Sequence, residues 1–146
     1  MKWKEVAVEK LRSMEMMQRA LRNLPREIQR LEAEYEAVGS QIFSGKATSP
    51  DHRSREERLL NNIVCRQELR WSLEQTTRWM DSVMSALEVL TPEEMGVLHQ
   101  LYISPVAGAM ERLCEKLQLE KSSIYRKRDS ALRKFTLALY GATESN

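Results

Sequence analysis

The sequence predicts an all-α fold, with an N-terminal helical hairpin of coiled-coil character followed by a C-terminal helix-turn-helix domain. Three observations carry that prediction. The 146 residues include only five Gly and four Pro, with 30% charged and 42% hydrophobic residues, a balance suited to amphipathic helices. Apolar residues recur at steps of three and four through most of the chain, the helical period. The last third divides into three short helical runs separated by corner-sized gaps.

Taken in order, Met14, Met17, Leu21, Leu24, Ile28, Leu31, Tyr35, Val38 and Ile42 form an unbroken seam of heptad spacing. Pro25 interrupts the backbone beneath it. Proline lacks an N–H and disfavours a helical residue before it, so the sequence predicts two helices, about 3–23 and 25–43, with Pro25 opening the second. Residues 39–54, GSQIFSGKATSPDHRS, hold two Gly, one Pro and a cluster of Ser and Thr, and read as a loop. A long helix over about 55–89 follows, carrying Leu59, Leu60, Ile63, Val64, Leu69, Trp71, Leu73, Met80, Val83, Met84 and Leu87. The stripe weakens around Gln67 and Arg70, a place for the helix to change packing partner. Residues 1–90 would thus be a hairpin whose apolar seams serve oligomerisation or partner binding, with homodimerisation favoured.

Thr91-Pro92-Glu93-Glu94 is a helix start: Thr91 as N-cap, Pro92 at the first position, and Glu94 completing a capping box. Met95, Leu98 and Leu101/Tyr102 give that helix its apolar side. A loop over 104–108 leads to a run over 109–117 with Met110, Leu113, Cys114 and Leu117 on one stripe. After the corner at 118–121 comes the last run, 121–140, striped by Ile124, Ala131, Leu132, Phe135 and Leu139. Residues 142–146 form a tail.

Lys121, Arg126, Lys127, Arg128, Arg133 and Lys134 stand against Asp129 alone in this last run. It carries net +5 in a chain of net +2, a local asymmetry of the kind nucleic-acid-binding surfaces show.

In its last third the chain resembles region 4 of bacterial sigma factors, and more closely the small phage-encoded regulators related to it (RinA/ArpU-type late-gene activators). The resemblance rests on Leu90-Thr91-Pro92-Glu93-Glu94, Leu98 with Tyr102-Ile103, Leu113-Cys114-Glu115-Lys116-Leu117, Ser122-Ser123-Ile124-Tyr125 and Ala131-Leu132-Arg133-Lys134-Phe135. It implies a DNA-binding domain over 91–141. Lys121, Ser122, Tyr125 and Arg126 would face base edges in the major groove, with Lys127, Arg128, Arg133 and Lys134 toward phosphates and Ser123 and Ser130 on the same surface. Two positions depart from the related pattern. Gln118 stands where Gly is frequent, at a point needing left-handed backbone. Glu120 stands where Ser or Thr often caps the recognition helix.

The resulting expectation is a sequence-specific transcriptional regulator of phage or prophage type, acting on double-stranded DNA in the bacterial cytoplasm, with host RNA polymerase as a further partner. A small terminase subunit, which also joins a helix-turn-helix to an oligomerising helical region, stays open beside it. So does a sigma-like module that binds polymerase without reading DNA. No enzyme is expected: the chain has no Gly-rich phosphate loop and no HExxH or GxSxG motif. Cys65, Cys114, His52 and His99 are too scattered for a zinc site, so no metal or cofactor is expected. Nor does any apolar run reach the roughly 18–20 residues a membrane span needs.

Overall fold

The computed structural model describes residues 2–43 and 50–141, and these are all-helical, without strands. Five α-helices follow in order: α1 (Lys2–Phe43), α2 (Pro50–Leu87), α3 (Pro92–Leu98), α4 (Ala109–Leu117) and α5 (Lys121–Tyr140), with a π-helical turn at His99–Ile103 between α3 and α4.

Pro25 does not end a helix. α1 runs through it, and the two expected helices, 3–23 and 25–43, are one. A proline inside a helix removes one hydrogen bond and crowds one carbonyl. The apolar seam continues on both sides of it, with Leu11 and Met14 buried before and Ile28, Leu31 and Val38 buried after, and tertiary burial offsets the local penalty. The loop expected over 39–54 is also shorter. Residues 39–43 finish α1 and 50–54 begin α2, with Pro50 as its first residue, where proline's missing N–H costs nothing. Residues 44–49 and the tail 142–146 lie outside the described residues, as does the side chain of Ile42.

The chain divides into two compact units. One comprises residues 19–77. In it the carbonyl of Leu31 on α1 accepts a hydrogen bond from buried Asn62 on α2 at 2.8 Å. Arg66 stacks over Tyr35, and Arg70 reaches Glu32 at 2.8 Å. Leu60, Val64 and Trp71 remain exposed on α2.

The other unit comprises residues 1–18 together with 78–146, whereas the sequence grouped residues 1–90 together. Ala7, Leu11 and Met14 of α1 are buried in it, as are Met80, Val83, Ala86 and Leu87 of α2. From the C-terminal helices come Val97, Leu98, Leu113, Ile124, Ala131, Leu132 and Phe135. The border between the units on α2 falls near residue 77, further along than Gln67 and Arg70, where the sequence placed a change of packing partner.

Within this unit α3 starts as the sequence predicts. Thr91 is extended at φ −69, its hydroxyl accepts from the Glu94 N–H, and the Glu94 carboxylate accepts from the Thr91 N–H. The π turn explains why α3's apolar side shifts. Leu98 and Ile103 are both buried though five residues apart, a spacing that an i→i+5 turn aligns and an α-turn does not.

Candidate nucleic-acid interface

α4 and α5 meet at a three-residue corner, 118–120, one residue shorter than the sequence suggested. Val97, Leu113 and Ile124 close a small core beneath it, with Leu101, Met110, Cys114, Leu117 and Leu119 packed around. Cys114 is thus a small side chain packed beside the core.

The corner needs a left-handed residue to turn the chain, and Gln118 takes that conformation at φ 56 and ψ 43, the sole non-Gly residue with positive φ among those described. Its side-chain amide donates to the Glu115 carbonyl at 3.0 Å, which holds the strained backbone in place. A β-carbon in this region costs about 1 kcal/mol relative to Gly. Gln118→Gly is therefore expected to raise stability by up to about 1 kcal/mol, read as a higher urea midpoint at unchanged m-value. A loss of stability would mean that the Glu115 bond outweighs the strain. Glu120 is extended at φ −75 and caps α5 without a side-chain hydrogen bond, while its carbonyl accepts from the Ser123 and Ile124 N–H groups at 3.0 and 3.1 Å.

α5 sorts its polar residues onto three faces. Ile124, Ala131, Leu132 and Phe135 point into the core. Opposite them Ser122, Arg126, Ser130 and Arg133 follow at steps of four, four and three, all exposed, with exposed Lys121 and Tyr125 at the N-terminal end and Ser123 half-buried beside them. This is the open face.

The remaining cations are engaged within the chain. Lys127 Nζ donates to Glu93 Oε2 at 2.8 Å, and Lys134 Nζ to Glu94 Oε1 at 2.9 Å. Seven residues apart, these two lysines sit on one edge of α5, along the start of α3. On the other edge Arg128 pairs with Asp129 at 3.0 Å and lies 4.8 Å from the Tyr125 ring centroid. Asp129 also receives Lys4 of α1 at 3.2 Å.

The structure thus brings Lys121, Ser122, Tyr125, Arg126, Ser130 and Arg133 together on one open surface, and it commits Lys127, Arg128 and Lys134 to acids of the same chain. Glu93, Glu94 and Asp129 are the acids that take up these cations, Asp129 together with Lys4. The pairs Glu93–Lys127 and Glu94–Lys134 span 34 and 40 residues, and no local pattern signals them.

Both carboxyls that matter here are held below their ordinary range. Burial pushes Glu94 up, but the Thr91 N–H and hydroxyl and the Lys134 ammonium outweigh it. Burial likewise opposes the downward pull of Lys4 and Arg128 on Asp129. A carboxyl with a lower pKa folded than unfolded adds stability that is complete above its unfolded value and lost as pH falls through the folded one. Acid titration of the urea midpoint is therefore expected to stay flat from neutrality until pH approaches the ordinary values of 4.5 and 3.8, then decline. Glu94→Gln should lower the plateau and soften the decline. A wild-type midpoint still flat at pH 3 would contradict it.

No protein-family model matches the chain, and no curated protein or solved structure matches it either. No group of three or more metal-ligating side chains occurs among the described residues, and no described helix is long and apolar enough to cross a membrane.

Proposed function

We propose that this protein is a sequence-specific DNA-binding regulator of transcription, of the phage or prophage late-gene type, in which α4 and α5 form a helix-turn-helix. The observation that carries the reading is the open face of α5. Arg126 and Arg133 stand there with Lys121, two serines and Tyr125, and none of these three cations has an ion-pair partner among the described residues. A twenty-residue helix is about 30 Å long and fits the major groove, where arginine reads guanine and serine or tyrosine reaches phosphate or base edges. The tight corner fixes α5 against α4, so the reading helix rests on a rigid frame.

In this proposal the N-terminal helices pair two copies of the chain. The exposed Leu60, Val64 and Trp71, at steps of four and seven on α2, supply an apolar stripe left over after Ile28, Leu31 and Val38 are buried within the chain. A dimer would present two reading helices to two half-sites.

Fluorescence anisotropy with random duplexes across a salt series tests the reading. Binding should weaken with salt at a log–log slope of about −3, one increment of about 0.9 for each of the three free cations. Selection from a randomised duplex pool should then return one motif. Binding absent at all salt concentrations would overturn the proposal in favour of a polymerase-binding module. Large rings in light scattering would favour a DNA-packaging role.

A further inference from the structure

Resting on the reading of α5 as the DNA-contacting helix, we propose that Glu93 is an internal competitor of DNA phosphate for Lys127, and so limits binding that ignores sequence. The two lysine–glutamate pairs along α3 differ in kind. Glu94 is 4% exposed, and its Oε1 accepts both the Lys134 ammonium and the Thr91 N–H that closes the capping box. Removing Lys134 from it would disturb the start of α3, so that pair belongs to the fold. Glu93 has no such second duty. Its side chain is 59% exposed, and the 2.8 Å bond to Lys127 is its sole hydrogen bond among the described residues.

Lys127 adjoins Arg126 of the open face and sits one helical turn from Ser123 and from Ser130–Ala131. A phosphate strand running along α5 would therefore pass within reach of a flexible lysine side chain. A carboxylate and a phosphate oxygen present the same chemistry to an ammonium group, and one Lys127 serves one of them at a time. In the wild type the Glu93 carboxylate already occupies the ammonium, so a passing phosphate meets Lys127 neutralised.

The consequence is selective. Phosphate contacts raise affinity for every sequence alike, whereas base contacts reward only the operator. A cation withheld from phosphate lowers the background against which Arg126 must discriminate.

The test uses the full chain with a random-sequence duplex of about 20 base pairs, comparing wild type, Glu93→Gln, Lys127→Ala and the double variant. Glu93→Gln is expected to tighten binding about three- to tenfold at low salt and to steepen the salt slope by about 0.9, the signature of one added phosphate contact. In the Lys127→Ala background the same change should have no effect, which isolates the pair from the general removal of a negative charge. Glu93→Gln leaving affinity and slope unchanged while wild type binds would overturn this inference alone. So would an equal gain with and without Lys127. If neither wild type nor Glu93→Gln binds any duplex, the DNA reading itself falls, and this inference with it.

Discussion

Replacing Arg126 and Arg133 together by alanine is expected to reduce affinity for the preferred duplex by roughly 30- to 1000-fold. Arg126 lies near the N-terminal end of α5, the part of such a helix that enters the groove deepest, and a bidentate arginine–guanine contact is worth about 1–3 kcal/mol. In the proposed complex Arg133, two turns further on the same line, would face a phosphate, so the salt slope should flatten as well. Both residues are exposed, and their loss should leave stability within about 0.5 kcal/mol. The single variants should differ in kind. Arg126→Ala should relax sequence preference, while Arg133→Ala should weaken all duplexes alike. Lys134→Ala makes an informative comparison, because its partner Glu94 is part of the α3 cap. It should cost stability while leaving the salt slope unchanged. A double arginine variant that loses less than about threefold would remove α5 from the interface.

The second large effect concerns a residue far away in sequence. Leu11→Ala is expected to destabilise the protein by about 2–5 kcal/mol, the range for a leucine whose removal leaves a cavity. Leu11 is 0% exposed and lies in the same compact unit as Phe135 and Leu132. Around it Lys10 approaches the rings of Trp79 and Tyr140 at 5.7 and 5.6 Å, and Arg12 that of Tyr102 at 5.7 Å. Urea denaturation followed by circular dichroism would give the value. A cost below about 1 kcal/mol would mean that α1 lies loosely on the C-terminal helices.

What was legible in the sequence was local. The Thr91 capping box, the left-handed Gln118 and the start of α5 depend on residues within three or four positions of one another, and each is found where the sequence put it. Apolar periodicity also marked the buried side of α1, α4 and α5, but on α2 Leu60, Val64, Trp71 and Met84 of the expected stripe are exposed. It could not say against what. The seam from Met14 to Val38 extends upstream through Leu11 to Ala7 at the same steps of three and four, and both are buried. Its N-terminal part packs in the unit that holds α5, and its C-terminal part in the other. Pro25 misled because local rules price the lost hydrogen bond without the burial that offsets it. At the candidate interface the six cations were visible and their division was not. Whether a lysine is free or paired depended on Glu93 and Glu94, brought near by folding rather than by sequence.

The borders of the compact units, near residues 18 and 77, fall inside α1 and α2 rather than in linkers. For inheritance this matters. A recombination crossover near residue 90, just before α3, would separate Leu11 and Met14 from the helices they are buried with. New C-terminal helices could be acquired only with a matching first eighteen residues, or with compensating changes at those apolar positions. The C-terminal helices and the opening turns of the first helix should therefore travel through evolution as a linked pair, while residues 19–77 are free to diverge under their own constraints.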